Sequence, residues 1–125
     1  MKWPKHVGSI DNMFCGCTSL ESLNVSGLDV SKINVMNDVF KDCKKLVALN
    51  LKGWNTKNVS SMVGLFSGCE ALHWIEGLEN FDVNEVTNMS YLFYHCHNLN
   101  PFPKISMWKT INLCRINNMF YKCYD

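Results

Sequence analysis

Apolar side chains return along this chain in a fixed register. Phenylalanine stands at Phe14, Phe40, Phe66, Phe93 and Phe120, at intervals of 26, 26, 27 and 27 residues. Three residues after each comes a cysteine: Cys17, Cys43, Cys69, Cys96 and Cys123. Three after the first four of these comes a leucine: Leu20, Leu46, Leu72 and Leu99. The register also holds backward. Ile10, Met36, Met62, Met89 and Ile116 stand four residues before each phenylalanine, and Val7, Ile33, Val59, Val86 and Leu113 seven before. Self-similarity at such a period is the signature of a repeat architecture. The chain therefore reads as a single repeat array over 1–125, centred on the five phenylalanines, the last repeat truncated.

Each repeat predicts two elements. Met36, Val39, Phe40 and Cys43 fall at i, i+3, i+4 and i+7, one apolar stripe on a short helix. Ser60 and Ser61 before Met62, and Thr87 and Asn88 before Met89, then read as helix caps. The section after it, Leu46-x-x-Leu49-x-Leu51, reads as a brief strand. The extra residue of the longer repeats sits around Glu76-Gly77 and Pro103-Lys104, where a small bulge or loop is expected. One repeat offers about eight core side chains, worth roughly 1.5–3 kcal/mol each when buried. Ordering its backbone costs about 1–2 kcal/mol per residue. Stability therefore requires neighbours, with strands of successive coils paired in parallel. The expected fold class is an α/β repeat solenoid of about 4.5 coils, each a short parallel β-strand plus a short helix.

Composition narrows the function. The net charge is +1, hydrophobic residues make up 47% and charged residues 18%. That balance gives no electrostatic case for nucleic acid, and no apolar run is long enough for membrane insertion. The segment Met1-Lys2-Trp3-Pro4-Lys5-His6 lacks the apolar run of a secretory signal. A cytosolic chain, a chain whose signal has been removed and a piece of a longer protein all stay open.

Seven cysteines invite a disulfide or metal reading. The spacing argues for five reduced, buried thiols closing the apolar stripe. In-register side chains on coils roughly 5 Å apart keep their Cβ atoms farther apart than the roughly 3.8 Å a disulfide prefers. Cys15 and Cys114 lie outside the ladder, and Cys114 is the expected reactive thiol. His95 and His97 flank Cys96 and are expected on the solvated surface. No metal site, cofactor or nucleophile motif is read from the chain, and no enzyme activity is expected.

The residues also carry a resemblance. L-x-x-L-x-L resembles leucine-rich repeats, which makes the expected stack leucine-rich-repeat-like. The fuller unit from Val86 to Leu99, with its M-x-x-[hydrophobic]-F-x-x-C-x-x-L core, is similar to the 26-residue repeat of BspA-like bacterial surface proteins, a repeat also catalogued as a domain of unknown function. The last full unit departs from it, with Ile116 for methionine, Pro101 and Pro103 in the strand, and the additional Cys114. The resemblance implies a cell-surface or secreted, non-enzymatic protein, with adhesion among the family's roles.

Outward positions that break the repeat are the candidate binding residues: Trp74 above all, with His73, Glu76, Asn50 and Asn24 on the same strand face. An aromatic on an exposed strand suits a contact hot spot, although Trp74 folding over Pro101 or Ala48 as local packing is an equal reading. The function expected is a non-catalytic module binding a protein or a glycan; the alternative is a structural spacer within a longer array with no ligand of its own. Phe120, Tyr121 and Tyr124 at one end leave end-to-end self-association open, and Trp3-Pro4 is a candidate cover for the other.

Overall fold

The computed structural model describes residues 7–123. The Trp3-Pro4 cover and Tyr124 lie outside them. Three strands form where the leucine-rich sections predict them: β1 (Ser22–Asn24), β2 (Ala48–Asn50) and β3 (Trp74–Glu76). They make one parallel sheet in the order β1-β2-β3. Leu23 pairs with Leu49 and Leu49 with Ile75, so the central residue of each strand faces the core. Asn24 and Asn50 end their strands. The side-chain oxygen of each accepts a hydrogen bond from the backbone two residues on, at Ser26 and Lys52, a local turn that competes with the ladder. The fourth repeat adds no strand, because Pro101 and Pro103 have no N–H to give to one.

The phenylalanine segments overturn the helical expectation. Met36, Asp38, Phe40 and Asp42 donate their N–H groups to Ser61, Val63, Leu65 and Ser67 of the next repeat. Met62, Gly64, Phe66 and Gly68 donate in the same way to Asn88, Ser90, Leu92 and Tyr94, and Met89, Tyr91, Phe93 and His95 to Arg115, Asn117, Met119 and Tyr121. These groups point from repeat to repeat, whereas an α-helix would turn them back to the fourth residue before. The chain closes three-residue turns between them, as in Cys43 N–H to Phe40 and Cys69 N–H to Phe66. Two columns adopt the left-handed conformation. One is Asn12, Asp38, Gly64, Tyr91 and Asn118; the other is Gly16, Asp42, Gly68, His95 and Lys122. A left-handed residue every fourth position breaks any α-helix. The apolar stripe survives because successive three-residue turns bring nearly the same positions inward.

The described residues thus contain three short parallel strands, one three-residue 3-10 helix (Leu78–Asn80) and no α-helix. The chain is not an α/β solenoid of about 4.5 coils, and the leucine-rich-repeat-like description does not hold. The residues read as helix caps bond across repeats instead. Ser61 and Asn88 lie in a row of isolated parallel bridges, Val35 to Ser61 to Asn88 to Arg115. The Ser60 and Thr87 hydroxyls donate to the carbonyls of Asn34 and Ser60. Of the two insertions, the first is a tight turn: Gly77, at φ 95°, leads from β3 into the 3-10 helix.

The core is a set of files running from repeat to repeat. The rings of Phe14, Phe40, Phe66, Phe93 and Phe120 stack in sequence with centroids 5.7, 5.9, 5.7 and 5.9 Å apart, within the range of favourable offset stacking. A second file stacks Trp54 on Phe81 at 6.3 Å. The indole N–H of Trp54 donates to Val25 at 2.8 Å and that of the half-buried Trp108 to Leu78 at 3.2 Å, so each indole donor is satisfied one repeat back. Phe40, Phe66 and Phe93 are fully buried together with Cys43, Cys69 and Cys96 and with Leu46 and Leu72; Leu99 is nearly so. Phe14, Cys17, Leu20 and Cys123 are half-buried and Phe120 is exposed, since a described neighbour covers them on one side only.

Candidate functional site

The sheet presents one outward column on each side of its buried one. The first column is Ser22, Ala48 and Trp74; the second is Asn24, Asn50 and Glu76. Trp74 dominates this face, with 51% of its surface exposed. It stands between two depressions. The shallower, about 220 Å³, runs over the sheet and is bounded by Ser22, Asn24, Ala48, Asn50, Trp74 and Glu76. The other, about 350 Å³, lies toward the fourth repeat against Pro101, Phe102 and Pro103, with Glu76, Glu79 and Lys104 at its margin. The structure therefore places Trp74, Glu76, Asn50 and Asn24 around one surface. His73 is exposed beside them, with its ring Nδ1 3.3 Å from the carbonyl of Asn98. The side-chain oxygens of Asn24 and Asn50 already serve the strand-ending turns.

A second concavity lies on the turn face, in a place the hydrophobic pattern does not single out. It has a volume of about 540 Å³. Three outward columns build it. In the second repeat they carry Asp38, Lys41 and Asp42; in the third Gly64, Ser67 and Gly68; in the fourth Tyr91, Tyr94 and His95. The third repeat carries two glycines and a small serine in these columns, so a gap opens between a charged wall and an aromatic one. The carboxylates of Asp38 and Asp42 lean over Gly64 and Gly68, occupying the space a Cβ would take. Opposite, Tyr91 meets Tyr94 edge-on at 5.4 Å, and Tyr94 stacks on Tyr121 at 5.3 Å. His95, expected on the solvated surface, is half-buried against Tyr94 and Tyr121 at 4.3 and 5.6 Å. The coincidence of small residues at Gly64, Ser67 and Gly68 was the sequence signal for this concavity. It is lost when each position is read separately as part of a helix.

The ladder thiols donate to carbonyls one repeat back: Cys43 to Phe14 at 3.1 Å, Cys69 to Phe40 at 3.0 Å and Cys96 to Phe66 at 2.9 Å. The hydrogen bond with the Cys43 thiol, and then burial, pushes the Cys69 thiol well above its ordinary value. Burial pushes Cys96 up to about 12. Cys15 and Cys114 are exposed. Desolvation and the nearby Asp38 and Asp42 carboxylates raise Cys15. Among the described residues no three His, Cys, Asp or Glu side chains converge to hold a metal ion, and no helix is long and apolar enough to cross a membrane.

Comparison with curated proteins gives no match. Comparison with solved structures gives none either. A family model described as "Mycoplasma protein of unknown function, DUF285" matches residues 2–75 and again residues 48–125. The two overlapping matches span nearly the whole chain, as an internally repeated sequence allows, and the chain belongs to this family.

Proposed function

We propose that this chain is a non-catalytic binding module of a bacterial cell surface, related to the BspA-like repeat proteins, and that its strand face holds a protein ligand. The observation that carries the reading is Trp74, half exposed on a strand between two depressions. A large aromatic in open water is unfavourable, and such residues concentrate at the centres of protein contacts. The depression beside it is apolar at Pro101, Phe102 and Pro103 and charged at Glu79 and Lys104. An apolar centre with a polar rim is the usual anatomy of a protein–protein contact. The M-x-x-[hydrophobic]-F-x-x-C-x-x-L unit supports the relation to surface repeat proteins, and that relation supports the location.

Selection of a random peptide display library on the immobilised protein tests the reading. Peptides with an apolar anchor beside charged residues are expected to enrich. Trp74→Ala is expected to weaken the selected peptides by roughly 2 kcal/mol, about thirtyfold, while unfolding as cooperatively as the parent. Equal binding by Trp74→Ala, or no enrichment, would remove the strand face as a ligand site and leave the spacer role.

A further inference from the structure

We propose that the concavity on the turn face is a second, independent site, and that it takes a neutral pyranose of a glycan. Its floor is the backbone of Gly64 and Gly68, partly covered by the Asp38 and Asp42 carboxylates that lean in from one wall, with the small Ser67 side chain between them. Its walls belong to the repeats on either side. The hollow left between them, about 540 Å³ with the carboxylates leaning in, has room for one sugar ring with its hydroxyls. The face of Tyr94 turned away from Tyr121, with Tyr91 edge-on beside it, offers apolar surface to the C–H side of such a ring. Asp38 and Asp42 opposite offer carboxylate oxygens to its hydroxyls. Charge decides against an ionic ligand. Lys41 and Lys44 line the same hollow as the carboxylates of Asp38, Asp42 and Glu70. An organic cation would meet both ammonium groups, and an anion three carboxylates. A neutral molecule rich in hydroxyls uses both kinds of group.

The backbone supplies an independent reason. Tyr91 holds φ 61°. A bulky residue in this region is uncommon. The same column places Asn12, Gly64 and Asn118 at the same conformation, residue types that adopt it readily. The fold therefore does not require tyrosine there. Tyr91 is nevertheless held in place with 39% of its surface exposed at the mouth of the hollow. Strain kept where a smaller residue would relieve it points to a use for the ring.

Saturation-transfer NMR on the whole chain tests the site, with oligomers of glucose, galactose, mannose and N-acetylglucosamine as probes and tetramethylammonium as the cationic comparison. Transfer to the ring protons of at least one sugar is expected, and none to tetramethylammonium. Ser67→Tyr would extend the Tyr94–Tyr121 stack into the hollow and fill it. Tyr91→Asn removes the ring while easing the backbone. Each variant is expected to weaken the sugar about tenfold, and Tyr91→Asn is expected to unfold at a midpoint no lower than the parent's. No transfer to any of the sugars, binding of tetramethylammonium alone, or sugar binding untouched by both variants would overturn the proposal. Both substitutions lie on the turn face, so the outcome is separate from that of Trp74 on the strand face.

Discussion

A single backbone angle governs much of this protein. In the columns of Asp38, Gly64 and Tyr91 and of Asp42, Gly68 and His95, a positive φ turns every second N–H toward the next repeat. The residue types Asn, Asp and Gly at most of these positions carried that information, because they tolerate the left-handed region. Gly77 is crowded by backbone. At φ 95° an added Cβ would lie 2.8 Å from both the Cα and the backbone N of Lys52 and 2.9 Å from the carbonyl carbon of Leu51. These are backbone atoms and cannot step aside. Gly77→Ala is therefore expected to destabilise the protein by about 2 kcal/mol or more, through the left-handed cost and the collision together. Chemical denaturation measures it, and a midpoint equal to the parent's would show that the turn relaxes freely.

At the level of elements, the strands are too short to stand alone, and the turns do not form a helix that could. What holds them is the files of side chains that cross the repeats. Phe66 sits in the middle of the longest file, 5.9 Å from Phe40 and 5.7 Å from Phe93, and is fully buried. Phe66→Ala would leave a ring-sized void between two rings fixed by their own neighbours. The expected loss is roughly 3–5 kcal/mol. A loss below about 1 kcal/mol in urea unfolding would mean that the file closes over the gap. The spacing of the phenylalanines was legible in the sequence, and so were the short strands. The apolar stripe of Met36, Val39, Phe40 and Cys43 was equally legible, but its meaning was misread. Spacing of this kind reports which side chains turn inward. It does not report where the N–H groups go.

For the molecule as a whole, two of the buried thiols, Cys69 and Cys96, tie stability to pH. Cys69 and Cys96 are raised in the fold, Cys96 from 9.0 to about 12. A raised thiol stays protonated in the folded state after the unfolded chain has released its proton, so unfolding releases a proton in that interval. The contribution of these two thiols is thus fully present below about pH 9 and is lost as pH rises from 9.0 toward about 12. Denaturation midpoints across this range should show the fall, and Cys96→Ala should make it shallower. A Cys96→Ala profile parallel to the parent's would show that this thiol does not titrate as its burial requires.

The sequence by itself determined the register: which side chains recur every 26 or 27 residues, which of them are apolar, and the family to which the chain belongs. Apolar spacing along one chain suffices for that, because burial selects by position. Only the tertiary structure decided that the repeats are joined turn by turn rather than carrying helices, because the acceptor for each turning N–H lies in the next repeat and not in its own. The two outward surfaces were decided there as well. Trp74 was singled out along the chain, but the two depressions beside it exist only when the repeats lie side by side, and the hollow over Gly64 and Gly68 exists only between Asp38 on one repeat and Tyr91 on another.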